Sequence, residues 1–371
     1  MRLVSVLLLI QSLVCYVQAG SPLWEISAVT LKASHGAALK RAVSIVPTDN
    51  SDDNAGMRRW PEKTVTYAFS TTDAEEKLDR ILEEAKKLWN RLNVEGFKYK
   101  KLKLKECKAR RSECMIIYYN NYGKLLTSVS LPSLDARFEG PYMHLSDKKD
   151  VGHLNPVVNA AHELGHAWGL WHEHQARKWW GQSEFDEFWG GTLDGTKFMT
   201  TDYHPERLKD YETALEKMAE AKGLKSTDEL TQEQINELVR NQDTAKDYGF
   251  TAVEWMPLRP AGMEADEIFD GNSLMLYPSG AGGKGEVIFG ADGKVIEDKR
   301  LPILTYPNGE HMPVKKMPTG EDVARLVTIY GSNYRGVSRL HNDKSSKFKG
   351  LLKKVRSTMS LRAGDTEQGM C

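Results

Sequence analysis

Apolar positions alternate with polar ones in several short runs of the first half of the chain and switch to helical spacing in longer runs. Val65, Tyr67 and Phe69 alternate as a strand. Thr72 and Glu75 then have the spacing of a capping box, opening a helix with Leu78, Ile81, Leu82, Ala85, Trp89 and Leu92 on one face. Further strands are expected at 97–106, 114–119, 125–131 and 142–146. Asn155 and Pro156 read as N-cap and first helical residue of a helix that turns Val157, Val158, Ala161, Leu164 and Trp168 inward. Strand, helix, strands, then helix predicts an α+β fold, its twisted mixed sheet backed by two helices. Farther on, RLKDYETALEKMAEAKG and TQEQINELVRNQDTAKDYG have helical spacing and charged faces, which predicts a helical insertion at about 177–270.

The helix after Asn155 carries the chemistry. It opens the run HELGHAWGLWHE, from His162 to Glu173. His162 and His166 lie four residues apart, one helical turn, so both imidazoles reach one ion from a rigid element. Gly169 supplies a residue that tolerates positive φ, which ends the helix and lets His172 approach from another side. Three protein ligands leave the fourth position of one zinc ion per chain open to water, as catalysis requires. Glu163, beside a ligand, is the candidate general base for that water.

The extended motif resembles that of the metzincins, and Glu173 directly after the third His resembles the astacin branch. The segment GNSLMLYPS carries the matching S-x-M-x-Y turn, with Ser273, Met275 and Tyr277. The resemblance implies a zinc metalloendopeptidase of two subdomains, with sheet and helices above the cleft and a mainly helical and irregular part below. Met275 would floor the metal site, and Tyr277 would serve as weak ligand and oxyanion donor. Leu125–Leu131 would be the edge strand that holds an extended polypeptide substrate by strand addition. RRWPEKTVTYAFS (58–70) and PTGEDVARLVTIYG (318–331) are similar to the opening strand and closing helix of such domains, which places the catalytic domain at 58–335. Leu276 stands where animal astacins carry His, and HQARKWW at 174–180 replaces their Arg-Pro-Asp-Arg-Asp run, so the chain reads as a divergent member. For Glu173 two readings stand: a partner for the ammonium of a processed N-terminus, or an ordinary solvated or salt-bridged carboxylate. His174 is not assigned to the metal, whose positions are already filled.

Residues 1–19, with Arg2, an apolar stretch and small residues before Gly20, have the pattern of a signal peptide, so the expectation is a secreted chain with no transmembrane segment. Removing them takes Cys15 and leaves Cys107, Cys114 and Cys371. Cys107 and Cys114 lie between two strand-like runs, where a disulfide would close a hairpin loop. Residues 20–57 form the candidate prosegment; they hold no cysteine to latch zinc. Asp49, Asp52 and Asp53 are weighed there as ligands of a latent state against a plain acidic linker. Lys plus Arg balance Asp plus Glu at 51 each, which argues against a general nucleic-acid binder. Residues 336–371 form a basic tail. The competing class is a zinc-containing binding or toxin-like module, which would have no need of a base at Glu163; within enzymes the alternative is a peptidase of another metzincin branch, in which Glu173 and Tyr277 would be incidental.

Overall fold

The computed structural model describes residues 44–45, 57–132, 139–181, 195–258, 263–265 and 268–331. The signal segment, Asp49, Asp52 and Asp53, the tail from 336, Cys371 and part of the aromatic run after Trp180 lie outside them. The first half runs β1 (Ser44–Ile45), β2 (Thr64–Phe69), α1 (Thr72–Leu88), β3 (Lys98–Lys101), α2 (Leu104–Ala109), β4 (Met115–Tyr119), β5 (Leu126–Thr127), β6 (Tyr142–Leu145) and α3 (Pro156–Trp168). A five-stranded mixed sheet has the order β3-β2-β4-β6-β5, in which only β5, at the edge, runs antiparallel to its neighbour.

The period-2 alternation decides which face each side chain serves. Val65, Tyr67, Phe69, Met115, Ile117, Met143 and Leu145 face the main core, where they meet Leu78, Leu82 and Ala85 of α1 and Ala161, Leu164 and Trp168 of α3. Ala68 and Ile116 point the other way, into a smaller cluster with Cys107 and Cys114. Two indoles pin α3 in place: Trp89 Nε1 donates to Ala161 O (2.8 Å) and Trp60 Nε1 to Ala167 O (2.6 Å).

Below α3 the chain is mostly short helices and turns: α4 (Tyr211–Ala221), α5 (Gln232–Arg240), α6 (Gln242–Asp247), β7 (Met263–Glu264), β8 (Val287–Phe289), β9 (Val295–Asp298) and α7 (Gly320–Ile329). The second of the two expected helical runs is split, because Asn241 leaves the helix and its Oδ1 accepts from Asp243 N and Thr244 N to cap α6. Strand β1, within the 20–57 segment, pairs with β7, and Ile45 N also donates to Gly169 O (2.9 Å). Among the described residues, no helix is long and apolar enough to cross a membrane.

Other elements differ from their sequence expectation as well. The cap of α1 is Thr71, whose side chain accepts from Ala74 N, and not Thr72. The strand expected over 97–106 stops at Lys101 and gives way to α2, so Cys107 is helical. Because β3 and β4 both pair in parallel with β2 and not with each other, the Cys107–Cys114 disulfide closes no hairpin; it ties α2 to the start of β4 on the outer face of the sheet, with a Cα–Cα separation of 5.3 Å. Replacing both cysteines by alanine is expected to lower stability by roughly 2 to 3 kcal/mol, the loop-closure entropy of so short a ring. Denaturant unfolding under non-reducing conditions checks this, and a loss below about 0.5 kcal/mol would remove the bond from the stability of the fold.

Candidate metal centre

Asn155 begins α3 by accepting from Val157 N (2.9 Å) and Val158 N (3.3 Å), and Pro156 fills the first turn without an N–H to lose. Gly169 ends the helix at φ 111°, with its N–H and that of Leu170 returning to Gly165 O. A Cβ at Gly169 would stand 3.0 Å from Ile45 Cγ1, so left-handed backbone and crowding both select glycine. The chain turns there and comes back with His172 in extended backbone.

That turn brings three buried imidazoles together. The Nε2 atoms of His162 and His166 are 3.1 Å apart, and those of His166 and His172 are 2.9 Å apart. Each ring is held through its other nitrogen: His162 Nδ1 lies 2.8 Å from Leu274 O, His166 Nδ1 2.8 Å from Leu170 O, and His172 Nδ1 2.7 Å from Gln175 Oε1. Leu274 O and Leu170 O can only accept, which favours a proton on Nδ1 of His162 and of His166, and Gln175 does the same for His172 when its amide oxygen faces the ring. The three Nε2 atoms converge on one buried point. Tetrahedral zinc with Zn–N of about 2.0–2.1 Å sets its ligand atoms roughly 3.3 Å apart, close to these separations. Three imidazole nitrogens, full burial and hydrogen bonds behind every ring fit a zinc ion.

The turn after residue 270 lies against this cluster. Met275 is buried, and a Cβ on Gly165, between the two helical histidines, would be 2.5 Å from Met275 Sδ. Glycine in mid-helix costs roughly 1 kcal/mol relative to alanine, and here it admits the methionine beneath the ligands. Asp322, at the start of α7, organises the turn: its carboxylate accepts from Ser273 Oγ (2.6 Å), Leu274 N (2.9 Å) and Thr319 N (3.0 Å). The same Leu274 presents its carbonyl to His162. The ring of Tyr277 is centred 4.1 Å from that of His172 and 5.7 Å from that of His162. Glu163 is completely buried on the helical turn that carries His162 and His166.

Glu173 is completely buried, bridged to Arg325 of α7 at 2.6 and 3.3 Å, and accepts from Asp270 N (3.0 Å). Burial raises its pKa above the ordinary carboxylate range, with the Arg325 charge working in the opposite direction. His174 takes no place among the converging nitrogens; its Nε2 lies 2.9 Å from Glu254 O.

No protein-family model matches the chain, and no curated protein matches it. Among solved structures it is similar to high choriolytic enzyme 1, a hatching enzyme zinc-protease from Oryzias latipes, at 13% identity and TM-score 0.34, over 74% of this chain and 93% of that one. It is also similar to myroilysin, at 12% identity and TM-score 0.34, over 83% and 99% of the two chains. Metalloproteinase-II from Bacteroides fragilis aligns at 12% identity and TM-score 0.21, over 36% and 48%. The chemistry of the site rests on its own geometry.

Three residues that touch the site carry no motif of their own. Gln175 and Arg325 reach it across long stretches of sequence or a reversed turn. Asp322 is half visible, since Thr319 and Asp322 have capping-box spacing and do form one, but nothing local says that the same carboxylate also holds the turn at Ser273.

Proposed function

We propose that the chain is a secreted zinc-dependent endopeptidase of divergent astacin-like type, and the observation that carries this is the convergence of three Nε2 atoms beside a buried carboxylate. His162, His166 and His172 would hold the metal. Zinc held there would supply Lewis acidity and lower the pKa of a water in the site to about 7. Glu163 takes the proton from the attacking water and passes it to the leaving amine. The Tyr277 hydroxyl donates to the oxygen that develops negative charge at the scissile carbonyl. Met275 closes the floor beneath the ligands and keeps water from the back of the site. An extended polypeptide lies antiparallel along the edge of the sheet at β5, adding its backbone hydrogen bonds to that strand.

Secretion rests on the signal-like residues 1–19 and on the Cys107–Cys114 disulfide, which suits an oxidising compartment. Within 20–57, Ser44 and Ile45 pack on the domain, Ile45 fully buried beside Gly169, so a cut before Ser44 would leave that contact in the processed chain. Arg325 already neutralises Glu173, so that carboxylate calls for no ammonium from a processed N-terminus.

The test is to express the processed chain, measure its zinc and assay casein and gelatin. One zinc per chain with cleavage of both is expected. Zinc-bearing protein that leaves varied polypeptides intact would overturn the enzyme reading in favour of a silent binding module.

A further inference from the structure

Building on that reading of the three histidines, we propose that Gln175 is the positioning residue for His172 and that the 177–270 insertion sets its orientation. The rings of His162 and His166 are fixed by backbone carbonyls, Leu274 O and Leu170 O. His172 is fixed by a side chain, the Gln175 amide, at 2.7 Å. An amide can present either end, and the two ends have opposite consequences. If its oxygen faces the ring, Nδ1 carries the proton and Nε2 keeps its lone pair for a metal; if its NH2 faces the ring, Nδ1 must accept and the proton sits on Nε2, where it blocks coordination.

The insertion makes that choice. The Gln175 amide nitrogen lies 3.5 Å from both Val253 O and Met256 O, two acceptors that the amide oxygen would be repelled by. Its orientation is thereby set with Oε1 toward His172. The backbone is stitched to the same segment, since Leu258 N donates to Gln175 O (2.9 Å) and His174 Nε2 meets Glu254 O (2.9 Å). Gln175 itself is 1% exposed, so no solvent competes for either end of the amide. The insertion thus has a task at the metal centre in addition to any contact with substrate: it converts the position of residues 253–258 into the tautomer of the third ligand.

Gln175→Met keeps length and apolar packing and removes both ends of the amide. In the full-length processed protein, the variant is expected to bind zinc 10- to 100-fold more weakly in competition with a chromophoric chelator, the usual loss when a hydrogen-bond partner behind a ligating imidazole is removed. Ring nitrogen NMR of the zinc-free protein reads the tautomer directly. His172 is expected as the Nδ1–H form in the wild type and as a mixture in Gln175→Met, with far-UV circular dichroism unchanged. Unaltered zinc affinity or an unaltered His172 tautomer in the variant would overturn the proposal. So would a wild-type His172 protonated at Nε2, a result that needs no variant to fold. If the wild type binds no zinc, the zinc reading fails, while the tautomer measurement still tests the role of Gln175.

Discussion

Replacing Glu163 by alanine is expected to lower turnover of casein or a fluorogenic peptide by about 10²- to 10⁴-fold while zinc stays at one per chain. The reasoning begins with place. Glu163 is fully buried on the turn of α3 that bears His162 and His166, and the caps at Asn155 and Gly169 hold that helix in register without it. It contributes no nitrogen to the converging set, so its loss leaves the donor atoms intact. What disappears is the positioned base: bulk water must then take the proton, which raises the barrier by roughly 3 to 5 kcal/mol at about 1.36 kcal/mol per tenfold. Glu163→Gln, which keeps the shape and lacks the basicity, should fall with alanine. Zinc by elemental analysis and kcat from initial rates decide the matter. Wild-type turnover in either variant would remove Glu163 from the chemistry, and loss of zinc in both would make it a structural support of the helix.

Such a prediction can be framed because the ligand set is local in sequence. Spacing of four on a helix and a glycine three residues later specify the geometry of His162, His166 and His172 almost entirely through backbone conformation, and the Asn155–Pro156 start is equally local. Elements whose limits depend on distant partners were not legible. KYKKLKLKE alternates well beyond Lys101, yet β3 can pair only where β2 lies alongside it, at Thr64–Tyr67. Leu125–Leu131 reads as one strand, but only Leu126 and Thr127 pair with β6. Ser130, at φ 55°, then swings away, and its N–H donates to His166 O (2.9 Å). The hairpin expected around Cys107 and Cys114 failed for a topological reason, since the sheet places β2 between β3 and β4. In the site, Met275 and Tyr277 belong to a short readable pattern. Their anchor Asp322 and the Gln175 clamp depend on contacts 48 and 78 positions apart, which no local periodicity encodes.

The Glu173–Arg325 pair, 152 positions apart in sequence, carries the second large expectation: Arg325→Leu should destabilise the fold by about 3 to 5 kcal/mol. The side chains are 0% and 5% exposed, so solvent screens neither charge, and the contacts at 2.6 and 3.3 Å engage both carboxylate oxygens. Burial already raises the pKa of Glu173, and Arg325 is the largest influence holding it down. Without the guanidinium, the carboxylate keeps the Asp270 N–H but loses its neutralising charge in a site closed to water. The effect should reach the metal centre as well, because Glu173 follows His172 directly and its own N–H is bonded to Met275 O (3.0 Å). A double variant separates the net value of the pair from the penalty of stranding one member. Glu173→Met with Arg325→Leu replaces both charges by apolar groups of similar reach and should recover most of the loss, leaving it well above Arg325→Leu alone in denaturant unfolding. A single variant within about 1 kcal/mol of wild type would mean that the buried carboxylate finds another partner. A double variant as unstable as the single one would mean that packing by the arginine stem, and not charge, joins α7 to the turn beneath the histidines.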